Sequence, residues 1–222
     1  SDLADLDRDG LRFQFSLKTT LGDPVELPRE FANAVGFSDV QFWAAFTQNS
    51  DWQFFNTRNS RPFRDSNYEP ELIATFRTDK TSKYLRMVNL GIVHQSNGRS
   101  LPESRSWNRV YVQGGWEWDQ DYSLLARTWY RFKEGNDDDN PDILNYVGRA
   151  EAIIGIRNVW NGHLTLAARN NLRVGPSRGA LQVDWTSNNV SKAWESWPSV
   201  YLRFSTGYGE SLLDYNYKQT TL

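Results

Sequence analysis

Apolar and polar residues alternate along long stretches of this chain. Leu11, Phe13, Phe15 and Leu17 are interleaved with Arg12, Gln14, Ser16 and Lys18. Val88, Leu90 and Ile92 alternate with Asn89, Gly91 and Val93. The same spacing runs through Val110, Val112, Gly114, Trp116 and Trp118, through Tyr122 to Phe132, and through Ala150, Ala152, Ile154 and Ile156. Successive side chains of a strand point to opposite faces, so a period of two predicts strands with one apolar and one polar face.

Turn signals punctuate these segments, among them Asn161-Gly162, Gly175-Pro176 and the acidic loop from Gly135 to Asp142. The pattern predicts about twelve strands, many near the roughly 9–11 residues that cross a bilayer at a tilt. A helical turn is expected only at Pro28 to Ala34. No linker and no internal repeat divides the chain, so residues 1–222 read as one all-β domain. Alternation does not say which face looks inward. A soluble barrel or sandwich buries the apolar face, whereas a membrane barrel turns it to lipid. Two details favour the second. The polar face carries Arg, Gln and Glu, among them Arg149, Glu151 and Arg157, which pair within a closed lumen. Trp116, Trp118, Tyr130 and Phe132 gather near strand ends, as in an interfacial girdle.

Composition narrows the picture further. Aromatics make up 14% of the 222 residues, while the mean hydropathy is -0.67. That combination suits half-buried strands. No apolar run reaches the roughly 18 residues of a membrane helix, which leaves a barrel open. The net charge of -2 gives no reason to expect a nucleic-acid partner. Cys is absent, which excludes disulfides and thiolate metal sites. The chain begins at Ser1 without a signal peptide and is expected to be a mature or trimmed product.

Candidate chemistry lies at residues 94–108. His94 and Ser96 are two apart and continue the stripe of Val88, Leu90 and Ile92. Asn108 shares the parity of Val110 and Val112. If neighbouring strands end at these residues, three polar side chains meet above one apolar surface. That is the pattern of a nucleophile (Ser96), a base (His94) and an orienting group (Asn108). Gly98 permits close backbone approach and offers an N–H to an oxyanion. On spacing alone, a His beside a Ser is commonly a surface hydrogen-bonding pair. Polar groups facing lipid, however, are costly unless they function. His163, in a turn, is given no role.

The run His94-Gln-Ser-Asn-Gly-Arg-Ser100, followed by Ser104-Arg-Ser-Trp-Asn-Arg109, closely resembles the outer membrane phospholipase A family of Gram-negative bacteria. Pro62-Phe-Arg64, Asn67-Tyr-Glu-Pro70, Asp138 to Ile143 and Gly207 to Tyr215 resemble it too, so the likeness spans residue 11 to the end. The resemblance implies a twelve-stranded antiparallel transmembrane β-barrel. It implies calcium-dependent hydrolysis of phospholipid and lysophospholipid acyl esters in the outer membrane by a homodimer. The family's nucleophile, base and Asn fall on Ser96, His94 and Asn108, and its oxyanion amide on Gly98. Its calcium positions fall on Arg99, Ser104 and Asp139, with Ser60 from the partner chain. Gln48 falls on a polar residue of the family's dimer interface. The alternative is a barrel without catalysis, such as a small porin or adhesin.

Two departures from the family pattern stand out. Leu101 occupies a position where a carboxylate is expected, and Glu103 is the nearest substitute. The chain stops at Leu222, so the last strand is expected to be incomplete.

Overall fold

The computed structural model describes residues 11–54, 63–78, 83–135, 138–188 and 199–222. Among these residues twelve strands form one antiparallel sheet. They are β1 (Leu11–Thr20), β2 (Val25–Glu26), β3 (Phe37–Trp52), β4 (Phe63–Thr78), β5 (Leu85–Ser96) and β6 (Ser106–Trp118). The remainder are β7 (Tyr122–Phe132), β8 (Ala150–Ile156), β9 (Gly162–Asn170), β10 (Gly179–Ser187), β11 (Tyr201–Gly207) and β12 (Gln219–Thr221). Each pairs with its neighbour in sequence, except that β1 pairs β3 and the short β2 flanks β3 off the main path. Among the described residues one α-helix, α1 (Arg29–Val35), falls where the Pro28 signal predicts it and ends on Gly36 in the left-handed conformation. Among the described residues no helix is long and apolar enough to cross a membrane.

The alternating pattern predicts the two faces correctly. Leu11, Phe13, Phe15, Leu17, Leu90, Ile92, Val112, Tyr130, Phe132 and Ile154 are all exposed. The residues between them turn to a common interior, and residues from ten strands line one cavity of about 350 Å³. The apolar face is thus outside and the polar face inside, the arrangement suited to a lipid surround.

Several charges inside are paired, while Arg169 donates to the Tyr208 and Gly209 carbonyls. Arg109 bonds Glu69 at 2.8 Å, Arg127 bonds Glu151 at 2.8 Å, and Arg203 bonds Asp184 at 2.8 Å. Asn89 donates to Gln113 at 3.0 Å. One expectation changes. Arg157 is exposed at the β8–β9 turn, where its backbone N–H meets Asp121, so it is not a lumen charge.

The sheet curls until its ends approach. Arg12 on β1 bonds Asp51 beside it and reaches Glu210, beyond β11, at 2.9 Å. Segment 208–215 folds into the mouth of the lumen at the end where β5 stops and β6 begins. Leu212 and Tyr215 pack there with Trp107, Ile143 and Val147 in the main buried apolar cluster. Asp214 takes two bonds from Arg64, and the Leu213 N–H donates to Asp65. Burial, and after it the hydrogen bond donated to Asp142, pushes the Tyr215 hydroxyl above its ordinary value. β3 and β4, at 16 residues each, exceed the span a bilayer needs and raise the wall at this same end.

Candidate active site

Register builds the site. β5 and β6 pair His94 with Asn108 and Ser96 with Ser106. Asn108 pairs onward with Phe132 on β7. On the other side Ser96 pairs with Tyr68, Tyr68 with Gln48, and Gln48 with Phe15. Residues opposite one another in an antiparallel ladder project to the same face. Two outward rows result, one holding His94, Asn108 and Phe132, the next holding Phe15, Gln48, Tyr68, Ser96 and Ser106. Below them lie Ile92, 60% exposed, with Val110 and Tyr130. The polar site therefore stands at the upper edge of the apolar outer wall.

His94 Nδ1 and Asn108 Oδ1 are 2.8 Å apart. An amide oxygen only accepts, so Nδ1 carries the proton and Nε2 keeps a free lone pair. Asn108 is itself held, because its Nδ2 donates to Glu134 Oε1 at 2.6 Å. Ser106 Oγ donates to the other Glu134 oxygen at 3.3 Å. Among the described residues no hydrogen bond joins Ser96 to the His94 ring. Two positions along a strand separate their Cα atoms by roughly 7 Å, and such bonds commonly tighten only when substrate arrives.

Loop 97–105 is shaped by Asn97, which is buried. Its Nδ2 donates to the Glu103 carbonyl at 2.8 Å, and its Oδ1 accepts from the Arg105 N–H at 2.9 Å. Gly98 follows with φ +64, a left-handed conformation that favours glycine, and a Cβ there would touch the Tyr68 ring at 3.4 Å. Gly98 thus supplies the left-handed turn two residues after Ser96.

The metal candidates divide. Ser104 Oγ donates to Asp139 Oδ2 at 2.5 Å, so these two oxygen groups do meet. The Arg99 guanidinium bonds Glu103 and the Arg64 carbonyl and has no lone pair to offer a cation, so the backbone oxygen is the atom of Arg99 that could ligate one. Glu103 is therefore engaged by Arg99 and is not a spare carboxylate replacing Leu101. Leu101 itself is 75% exposed and has no side-chain donor atom. Asp138 is taken by Arg131 at 2.6 Å and Asp142 by Tyr215. Ser60 lies outside the described residues. Among those described, no three or more of His, Asp and Glu gather as a metal cluster. The donor chemistry present is hydroxyl, carbonyl and a single carboxylate. That suits a hard cation such as calcium, which takes oxygen ligands. Gln48 lies outward, where its Nε2 donates to Ser50 Oγ at 3.2 Å and Ser50 Oγ lies 3.0 Å from Ser66 Oγ. Together these form a small polar patch on the apolar wall.

Sequence reading missed Glu134 and Asn97. The first could have been found by running the β7 alternation two residues past Phe132, which lands on the outward face opposite Ser106. The second belongs to the Asn-Gly turn signal.

A family model described as phospholipase A1 matches residues 1–222. A relative from Neisseria meningitidis serogroup B is 39% identical over 186 residues, covering 81% of this chain and 47% of that protein. Phospholipase A1 of Salmonella typhimurium is 37% identical over 220 residues, covering 96% of this chain and 67% of its own length. The chain thus spans about half the length of the first relative and two thirds of the second. Among solved structures, the Salmonella typhi outer membrane phospholipase, a dimer with bound calcium, superposes with a TM-score of 0.81 at 34% identity. That match covers 98% of this chain and 77% of the other.

Proposed function

This chain belongs to the phospholipase A1 family, β-barrels of the bacterial outer membrane, and from that premise we propose that it hydrolyses the acyl esters of phospholipids and lysophospholipids. The observation that carries the reading is the His94–Asn108 pair, placed beside Ser96 on the outer wall and not in the lumen. An ester entering from lipid would meet these groups while its acyl chain lay along Ile92, Leu90 and Tyr130.

Ser96 Oγ attacks the ester carbonyl carbon. His94 Nε2 takes the hydroxyl proton and returns it to the departing oxygen, which leaves as the lysophospholipid. Asn108 holds Nδ1–H and so keeps the ring in the productive tautomer. The Gly98 N–H donates to the oxygen that gains charge. Water, deprotonated by the same His94, then releases the fatty acid from Ser96.

Calcium fits this site. Ser104, Asp139 and the Arg99 carbonyl would hold it, with Ser60 of a second copy completing the set, and bound there it supplies positive charge near the developing oxyanion. A homodimer in contact through the Gln48 patch would make pairing a condition of activity. The family match and the calcium-bound dimer of the Salmonella typhi protein support both statements. The single continuous sheet supports treating residues 1–222 as one domain. No observation favours a porin: the lumen is crossed by ion pairs and its mouth is occupied by residues 208–215.

The test is fatty acid release from phospholipid in detergent micelles with calcium. Ser96→Ala is expected to lose at least about 10³-fold in kcat. Release at the parental rate would remove the nucleophile assignment.

A further inference from the structure

We propose that Glu134 is a positioning residue for hydrolysis, and that the working relay in this chain is Ser96, His94, Asn108 and Glu134. The proposal rests on the reading of Ser96, His94 and Asn108 as the catalytic groups.

The argument starts from what an amide can do. Asn108 has an oxygen and an NH2 on one planar group, and a flip of that group exchanges them. With the NH2 turned toward His94, the ring would be forced to present a lone pair at Nδ1 and to keep its proton at Nε2. That tautomer cannot accept from Ser96. Something must choose between the two orientations. A carboxylate only accepts, so Glu134 Oε1, 2.6 Å from Asn108 Nδ2, admits the NH2 and rejects the oxygen. The oxygen is thereby directed at His94, 2.8 Å away. Glu134 is fixed in turn by the Ser106 hydroxyl at 3.3 Å.

Charge adds a second effect. Asn108 is neutral and stabilises an imidazolium less than a carboxylate would. Glu134 places a negative charge one amide beyond the ring. The Glu134–Asn108 bond is charge-assisted and polarises the amide oxygen toward His94. The half-buried position at the lipid edge weakens screening of that charge. Among the described residues Glu134 has no cationic partner, so its charge is not cancelled by an ion pair.

The backbone explains why the residue can reach. β7 ends at Phe132, opposite Asn108. Two residues further along, Glu134 recovers the outward parity and stands where the ladder would pair it with Ser106. Lys133, between them, is exposed. Each hydrogen bond then needs only a short reach across the strands.

The experiment measures kcat, KM and the pH profile of kcat/KM for the parent, Glu134→Gln, Glu134→Ala and Ser96→Ala, as whole chains in micelles with saturating calcium. Glu134→Ala frees the amide to flip and is expected to lower kcat about 10-fold with KM changed less than about twofold. Glu134→Gln can still offer an oxygen to Asn108 but lacks the charge. It is expected to stay within about threefold of the parent at the alkaline plateau. Its acidic limb should move to lower pH by about half a unit, because losing a nearby negative charge makes His94 easier to deprotonate. A residue with only a structural role would not move that limb. A further pair sharpens the test. Asn108→Asp alone sets two carboxylates in contact, and adding Glu134→Gln removes one of them. The double variant should therefore be several-fold more active at neutral pH than Asn108→Asp alone. If Ser96→Ala is inactive and both Glu134 variants match the parent in kcat and acidic limb, the relay is overturned while the catalytic reading stands. If Ser96→Ala is as active as the parent, the catalytic reading falls and the relay with it.

Discussion

At the scale of single residues, the proposed chemistry rests on three polar side chains, Ser96, His94 and Asn108, on the outer wall. His94 and Asn108 bond directly, and that contact dictates which ring nitrogen can serve as base. Because Asn108 orients without charge of its own, Asn108→Ala is expected to lower kcat by roughly 10- to 100-fold, about 1.4–2.7 kcal/mol. His94→Ala should cost considerably more, since it removes the proton acceptor itself. Initial rates of fatty acid release for the two variants check the order, and equal abolition would mean that Asn108 does more than orient. That all three share the apolar face was legible in the sequence, because a period of two carries face information from Ile92 to His94 and from Val110 to Asn108. Glu134 was not. It lies past the end of β7 in an acidic stretch, and only the position of Asn108 gives it a partner.

At the scale of elements, the segment after β11 closes the lumen at the site end. Its hold depends on Asp214 with Arg64, on the Leu213 N–H with Asp65, and on Tyr215 with Asp142. Tyr215 has its hydroxyl raised above the ordinary value of 10.0 by burial first and then by the Asp142 bond. A raised acid is more stable protonated in the folded state than in the unfolded one. Its contribution is thus fully present below about pH 10 and is lost as pH rises through the raised value. Limited proteolysis or hydrogen exchange at residues 208–215 should show protection falling in strongly alkaline solution. Tyr215→Phe should lower protection at neutral pH by about 1 kcal/mol and lose this component of the pH response. Sequence reading assigned the segment to a family motif, but its packing on Trp107 and Ile143 depends on contacts more than sixty residues apart in the chain.

At the scale of the whole molecule, the barrel inverts the usual distribution of charge and oil. The interior is held by ion pairs, and breaking one strands its partner. Glu69→Ala would leave Arg109, only 7% exposed, with Gln95 as its remaining side-chain hydrogen-bond partner. The expected loss is about 3 kcal/mol, seen as a lower denaturation midpoint in guanidinium with an unchanged slope. The proposed calcium ion and second copy belong to this scale too. A chelator should abolish activity, and calcium should restore it where magnesium does not, because magnesium gives up its water shell reluctantly. Activity should also fall as detergent dilution separates crosslinkable pairs. Full turnover with chelator, or in a monomer, would remove the cation or the partner from the mechanism.

What the sequence determined by itself was the alternation, the strand count, the place of His94, Ser96 and Asn108 on the apolar stripe and the family likeness. Each of these is written in local spacing or in a contiguous motif, and neither needs a distant residue to be read. Inside and outside could not be fixed by alternation, since either face may be buried by some fold; curling of the sheet around Arg109, Arg127 and Glu151 decided it. The fate of single groups was likewise tertiary. Arg157 escapes to a turn, Glu103 is claimed by Arg99, and Glu134 completes Asn108. Hydrogen bonds depend on angles and reach across strands, which a one-dimensional pattern does not carry.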